Sequence, residues 1–135
     1  CVGSGNLVRS IPGCIAASDI APRFWLAQRL GATEIARRAF RQSGAKIFIT
    51  NPPWTRSILH RIIDALRRIP PTWLLFDADW AQTKQAAPYL AYCWKIVSVG
   101  RVSWMENGTS GFDNCAWYLF GARPAVTVFC GRDGA

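Results

Sequence analysis

Several features are absent from this sequence, and each absence excludes a class of protein. No apolar run approaches the roughly 20 residues that a membrane-spanning helix requires. The 5 cysteines are scattered and form no Cys-x-x-Cys pair, which argues against a zinc site or a dithiol redox motif. The chain also begins without the basic and apolar segments of a secretion signal. An odd cysteine count without such a signal favours free thiols in a reducing compartment. We therefore expect a cytoplasmic protein without a membrane partner.

Acidic residues are scarce as well. The chain has 8 Asp and Glu against 16 Lys and Arg, and its net charge is +8. Such an excess favours a polyanionic partner, most simply nucleic acid, and a solvated basic face is the alternative interpretation. Hydrophobic residues make up 50% of the 135 residues, which is enough for one domain around one modest core.

Short apolar segments alternate with amphipathic segments along the chain. We predict strands at residues 14–18, 46–50, 72–77, 95–104 and 114–120, and helices at 6–11, 22–30, 55–69 and 82–92, the last of them bent or begun near Pro88. Strands that alternate with helices predict an α/β fold with a mostly parallel sheet and helices on both faces. The last two strands predict an antiparallel β-hairpin at one edge. Residues 1–122 would form the domain, and residues 123–135 would be a C-terminal tail with room for a last strand at 125–130.

The chain begins on a glycine-rich turn, "CVGSGNLV", with no strand before it. Because a glycine loop of this type normally follows a buried strand, we expect that the first strand of the fold is missing. Gly3 and Gly5 let the backbone approach a ligand closely. Asp19 would end the next strand, where an acid can accept both hydroxyls of a ribose or cap the following helix. Val8 stands where dinucleotide-binding loops have a third glycine, which favours a cofactor with a single nucleoside.

The stretch "KIFITNPPWTR" builds a rigid corner after a strand. Pro52 and Pro53 fix two φ angles and remove two backbone donors. The Asn51 side chain and the Pro52 backbone each offer a carbonyl oxygen, and two such acceptors can bind both hydrogens of an amino group. Trp54 offers a face on which a planar base can stack. The corner would therefore hold a flat, amino-bearing group, and a proline-stiffened loop whose tryptophan packs in the core is the alternative.

These motifs together resemble a known enzyme family. "NPPW" is similar to the (D/N/S)-P-P-(Y/F/W) motif of amino-methyltransferases that use S-adenosylmethionine, "VGSG" resembles the end of their glycine-rich cofactor motif, and "ASDIAPR" resembles their ribose-binding acid. The later stretch "WLLFDADWAQTKQAAPYL…VSVGRVSWMENGTSGFDNCAWYLF" resembles small phage- and prophage-type DNA adenine methyltransferases. The likeness covers residues 2–122. It implies a Rossmann-like class I methyltransferase in the cytoplasm of a bacterial or phage-infected cell.

The resemblance implies a site as well as a fold. It implies that the catalytic residues, which hold the amino group of the substrate, are Asn51, Pro52, Pro53 and Trp54. The residues that it implies for binding the cofactor S-adenosylmethionine are Val2, Gly3, Ser4, Gly5, Asp19, Ile20 and Glu34. Substrate contacts would come from Arg56, Asp77, Asp79, Asn107 and Asp113, with double-stranded DNA and a flipped adenine as partner, no metal, and no obligate protein partner. The chain departs from the family where the acid and proline before the glycine loop are absent, and where Phe112 replaces an expected basic residue.

Several of these residues have simpler interpretations. Asp77 and Asp79 could cap the next helix or meet an arginine instead of lining a pocket. His60 is the single histidine and is expected at the surface or in packing, while Trp104, Trp117 and Tyr118 are expected to pack the hairpin and Cys115 to be buried.

Three functions stay open at this point. The first is methyl transfer to adenine N6 in DNA. The second keeps the chemistry but acts on guanine of ribosomal RNA or on protein glutamine. The third is a non-catalytic, DNA-binding prophage remnant. Because the length leaves no room for a separate target-recognition domain, we expect a short or relaxed recognition sequence.

Overall fold

A computed structural model describes residues 6–14, 18–19, 28–29, 44–68, 71–102 and 111–132. The helices are α1 (Asn6–Ser10), α2 (Arg56–Leu66) and α3 (Ala87–Leu90), and two 3₁₀ turns span Ala78–Gln82 and Lys84–Ala86. The strands are β1 (Ser18–Asp19), β2 (Gln28–Arg29), β3 (Phe48–Thr50), β4 (Thr72–Asp77), β5 (Cys93–Arg101), β6 (Asn114–Phe120) and β7 (Val128–Cys130). The described part of the chain is therefore a mixed α/β structure.

Five strands form one mixed sheet in the order β3-β4-β6-β5-β7. β3 pairs in parallel with β4, and β5 pairs in parallel with β7. β6 runs antiparallel to both of its neighbours, β4 and β5. β1 and β2 form a separate two-stranded parallel sheet.

Helix α2 follows the apolar spacing of its sequence. Leu59, Ile62, Ile63 and Leu66 recur three or four residues apart and are all buried, so one face of the helix covers the core. Thr55 is the N-cap residue, although its side chain makes no capping hydrogen bond. Within the described residues, no helix is long and apolar enough to span a membrane.

Aromatic rings fill the core between the sheet and its covering segments. Phe76 and Tyr118 stack with ring centroids 4.2 Å apart, and Trp80 meets both rings edge-on. All three side chains are fully buried. The expectation that Tyr118 packs the hairpin and that Cys115 is buried is confirmed.

The prediction of a mostly parallel sheet with the hairpin at its edge is wrong for this sheet. β5 and β6 do form an antiparallel pair, but β6 lies inside the sheet and β7 forms that edge. β6 is an apolar strand with Ala116, Tyr118 and Phe120 buried on one face and Cys115 on the other, a pattern that suits an interior position. Its backbone pairs with β4 on one side and with β5 on the other.

Two predicted helices also differ in the structure. Residues 28–29 belong to β2, where pairing with β1 outweighs local helical preference, and residues 22–27 lie outside the described residues. Within the predicted helix at 82–92, the structure has the 3₁₀ turn Lys84–Ala86 followed by the short α3, which begins beside Pro88 as one form of the prediction expected. Pro88 has no N–H to donate, so it cannot continue a helix from the preceding turn.

Candidate functional site

The chemically distinctive residues lie at one end of the five-stranded sheet, where β3 and β4 finish, and we call this end of the strands the site edge. β3 and β4 end there and β6 begins there, because Asp77 lies opposite Cys115 in the antiparallel pairing. The last residue of β5, Arg101, lies opposite Asn114 at the same edge. The carboxyl ends of parallel strands are the usual location of ligand sites in open α/β sheets.

The Asn-Pro-Pro-Trp corner follows β3 directly at this edge. Asn51 and Trp54 are half-buried, Pro52 is buried and Pro53 is exposed. The Trp54 indole N–H donates a hydrogen bond of 3.2 Å to the Asn51 side-chain oxygen, Oδ1. Trp54 also packs against the core, as the structural alternative expected, so the corner is tied both to its own amide and to the interior.

Asp77 connects the first turn of α2 to the end of β4. Its Oδ2 accepts a hydrogen bond of 2.7 Å from Arg56 Nη2, and its Oδ1 accepts one of 2.9 Å from the backbone N–H of Asp79. The Tyr118 hydroxyl lies 3.0 Å from the Asp77 carbonyl oxygen and 3.1 Å from that of Ala78. The expectation that Asp77 caps a turn and meets an arginine is confirmed, while its contact with substrate stays a prediction.

His60 belongs to a cluster that sequence reasoning did not foresee. Its Nε2 accepts a hydrogen bond of 3.1 Å from the Trp80 indole, and its ring stacks on Tyr89 with centroids 4.4 Å apart. Burial is the main reason that the pKa of His60 lies below its ordinary value, with the positive charge of Arg56 adding to the effect. His60 is therefore a packing residue, as expected, and it couples α2 to the 3₁₀ segment after β4.

The basic residues of α2 and of its C-terminal end make two kinds of contact. Arg56 is paired with Asp77, and Arg67 pairs with Asp64 at 3.2 Å while its guanidinium lies 3.9 Å above the Tyr92 ring. Arg61 is exposed on the same helix, and Arg68 is exposed just beyond its end. Two of these four arginines therefore form ion pairs within the protein, and two present charge to solvent.

Some of the predicted site residues lie at or near the site edge, and others lie outside the described residues. Asp79 and Asp113 are exposed near the site edge, and Asp19 is the last residue of β1. Val2, Gly3, Ser4, Gly5, Ile20, Glu34, Asn107 and Trp104 lie outside the described residues. The residues that the structure brings together are thus those of the corner, Arg56 and Asp77. Across the described ranges, no three His, Cys, Asp or Glu side chains cluster in a way that could hold a metal.

Two contacts at the site edge were not predicted as specific residue pairs. The bond between Trp54 and Asn51 depends on a side-chain rotamer, and the pair between Arg56 and Asp77 spans 21 positions. The order of strand ends could have suggested the second contact, since Arg56 follows β3 and Asp77 ends the neighbouring parallel strand β4.

Comparisons of the chain with protein-family models, with curated proteins and with solved structures found no match.

Proposed function

We propose that this protein transfers a methyl group from S-adenosylmethionine to the exocyclic N6 amino group of adenine in DNA, on a Rossmann-like methyltransferase fold. The observation that carries the proposal is the Asn51-Pro52-Pro53-Trp54 corner at the carboxyl end of the parallel strand β3. The antiparallel pair β5–β6 supports the fold, because the resemblance predicts a C-terminal hairpin added to parallel strands.

The corner supplies acceptors suited to an amino group. Asn51 Oδ1 and the Pro52 carbonyl would each accept one hydrogen of the amino group and so orient its nitrogen lone pair toward an incoming methyl group. The Trp54 ring would stack on the base, a contact worth roughly 1–3 kcal/mol per base. Positioning and electrostatics then provide the catalysis, since the attacking nitrogen becomes acidic as the new bond forms.

An adenine inside a duplex cannot reach this corner, so the base would have to rotate out of the helix. A net charge of +8 favours the phosphate backbone as partner, and the exposed Arg61 and Arg68 offer cations for it. Asp79 and Asp113, exposed near the site edge, would face the displaced base or the gap that it leaves.

The cofactor assignment has one described point of support. Asp19 ends β1, which pairs in parallel with β2, and an acid at such a strand end suits the hydroxyls of a ribose. When bound, S-adenosylmethionine would supply a methyl group on a positively charged sulfur. The remaining proposed contacts, Val2, Gly3, Ser4, Gly5, Ile20 and Glu34, belong to the sequence-based part of the proposal.

The test is a methyl-transfer assay on the protein expressed as its gene encodes it. The protein is incubated with S-adenosylmethionine and unmethylated double-stranded DNA, the DNA is digested to nucleosides, and N6-methyladenine is measured by mass spectrometry. We expect the modified base with the wild-type protein and a loss of at least about 100-fold with Asn51→Ala, the scale seen when a transition-state hydrogen-bonding group is removed.

Gln85→Ala serves as the matched control, because it removes an exposed amide side chain away from the corner and should leave activity unchanged. Methylated guanine from ribosomal RNA, or methylated glutamine in protein, without N6-methyladenine would move the same chemistry to another substrate. DNA binding without methyl transfer to any of the three would replace the proposal with the non-catalytic remnant.

A further inference from the structure

The contact between Trp54 and Asn51 determines which way the Asn51 amide faces. A carboxamide has an oxygen that accepts hydrogen bonds and a nitrogen that donates them, and rotation by half a turn exchanges the two. An indole N–H can only donate. Because Trp54 Nε1 lies 3.2 Å from the end of the Asn51 side chain, the atom that meets it must be the acceptor, Oδ1.

The core holds the indole in place. Trp54 is half-buried and packs against the core cluster that contains the buried residues of α2 and β4. Asn51 lies three positions earlier at the start of the corner, and Pro52 and Pro53 restrict the backbone between them. The orientation of the Asn51 amide is therefore set by the interior of the protein before any ligand arrives.

This orientation has a chemical consequence. A carbonyl oxygen has two lone pairs, and the indole N–H uses one of them. The second lone pair can bind only a donor such as an amino group. A carbonyl group of a ligand placed there would bring two acceptor oxygens together, which is repulsive. The Asn51 amide could turn its N–H toward that carbonyl only by breaking the hydrogen bond from Trp54.

We propose that Trp54 is a positioning residue whose indole N–H locks Asn51 as an acceptor and thereby selects an amino group over a carbonyl group. This inference rests on the proposed function for its place in the reaction. It assigns Trp54 a role that a phenylalanine could not fill, since phenylalanine offers the stacking face without the N–H. An adenine, with an amino group at C6, would be preferred to hypoxanthine, which has a carbonyl there.

The test compares binding of single-stranded oligodeoxynucleotides that contain only deoxyadenosine or only deoxyinosine. Fluorescence anisotropy at nanomolar strand concentration gives both dissociation constants. We expect the wild-type protein to prefer deoxyadenosine by about 3- to 10-fold, the range that one net hydrogen bond provides. Trp54→Phe should lower this preference to less than about 2-fold, because one hydrogen bond no longer orients the amide.

Trp94→Phe is the matched control. The Trp94 indole donates a 2.8 Å hydrogen bond to the Arg123 carbonyl oxygen, at the end of the sheet opposite the corner. The Trp94→Phe substitution therefore removes the same indole N–H at a distant place, and the variant should keep the wild-type preference for deoxyadenosine. A general loss of stability would affect both variants, whereas the proposed selection changes the ratio only in Trp54→Phe.

A second variant separates positioning from structure. Asn51→Asp replaces the amide by a carboxylate, in which both oxygens accept and no orientation is needed. Combining it with Trp54→Phe should therefore restore a preference for deoxyadenosine. In parallel, Asn51→Ala should shift the indole ¹H–¹⁵N signal of Trp54 and speed its hydrogen exchange, with the signal identified by its absence in Trp54→Phe.

The outcomes separate this inference from the proposed function. No preference in the wild-type protein, an unchanged preference in Trp54→Phe, or an indole signal that ignores Asn51→Ala would each overturn the role of Trp54. A preference that depends on Trp54, in a protein that gives no N6-methyladenine, would uphold the selection of an amino group and reject the methyl transfer.

Discussion

His60 accepts a hydrogen bond that depends on the charge state of its imidazole ring. A neutral imidazole can accept the hydrogen bond from Trp80, and an imidazolium cannot. Two charged groups on its own helix act on it: Arg56 lowers its pKa and Asp64 raises it, while Tyr89 stacks on it from α3. Burial tips the balance toward the neutral form.

We predict that the protein loses stability in mildly acidic solution. The folded-state pKa of His60 lies below its ordinary value of 6.5, so the unfolded chain binds the proton more readily. The free energy of unfolding should therefore fall as the pH drops below about 6.5, and urea unfolding at about pH 7.5 and about pH 5.5 measures it. His60→Gln should be less stable at neutral pH and should show a smaller pH dependence. An equal pH dependence in the variant would contradict the assignment.

Gly121 illustrates close packing at a single residue. A Cβ at this position would lie 1.9 Å from Cζ2 of the Trp94 ring, which rests against the glycine. We predict that Gly121→Ala lowers the free energy of unfolding by about 1–3 kcal/mol, because the ring must move. Gly131→Ala is the control, since a Cβ there meets nothing within 4 Å. Urea unfolding should leave the control close to wild type; an equal loss in both variants would count against the Trp94 contact.

At the scale of elements, the link between α2 and the end of β4 sets the geometry of the site edge. Arg56 stands two positions after Trp54, and its partner Asp77 ends the neighbouring strand. The side chains of Arg56 and Asp77 are 35% and 21% exposed, so solvent screens their attraction. The cap that Asp77 provides to Asp79 requires only an acceptor oxygen, which an amide side chain also has.

We predict that two substitutions of Asp77 differ in cost. Asp77→Asn keeps an acceptor for the Asp79 N–H and loses only the ion pair, which should cost less than about 1 kcal/mol. Asp77→Ala loses the cap as well and should cost about 1–2 kcal/mol. Urea unfolding measures both, and about 1 M salt should shrink the cost of Asp77→Asn. Equal costs for the two variants would show that the cap contributes nothing.

Elements with a single strong local signal were predicted closely. β4 and β6 have the predicted bounds, since each is an apolar run that ends at polar or turn-forming residues. α2 was predicted from its apolar spacing, and its end at Leu66 is earlier than the predicted residue 69. The segment after β4 was predicted only in part. A helix does begin beside Pro88, but the residues before it form a 3₁₀ turn instead of the start of a longer helix.

At the scale of the whole molecule, the cysteines report on global opening. Cys93 and Cys115 are buried on β5 and β6, and burial raises the pKa of both thiols, to about 12 for Cys93. Cys14 is exposed and Cys130 is partly exposed. Thiolate is the reactive form of cysteine, so burial and a raised pKa both slow the alkylation of Cys93 and Cys115.

We predict that alkylation of the native protein modifies Cys14 and Cys130 quickly and leaves Cys93 and Cys115 unmodified until the sheet unfolds. Iodoacetamide labelling followed by peptide mass spectrometry checks this, with labelling in urea as the positive control. Rapid modification of Cys93 or Cys115 in native buffer would mean that β5 and β6 open locally, against the central position of β6 in the sheet.

The sequence by itself determined the features that depend on neighbouring residues: the apolar runs of β4 and β6, the buried face of α2, and the rigid Asn51–Trp54 corner. These follow from side-chain periodicity and from the backbone limits of proline, which act over a few positions. Only the tertiary structure decided the insertion of β6 between β4 and β5, the pairing of Arg56 with Asp77 and the orientation of the Asn51 amide. Those features depend on which segments, distant in sequence, pack against one another. Local conformational preferences of the residues do not determine that packing.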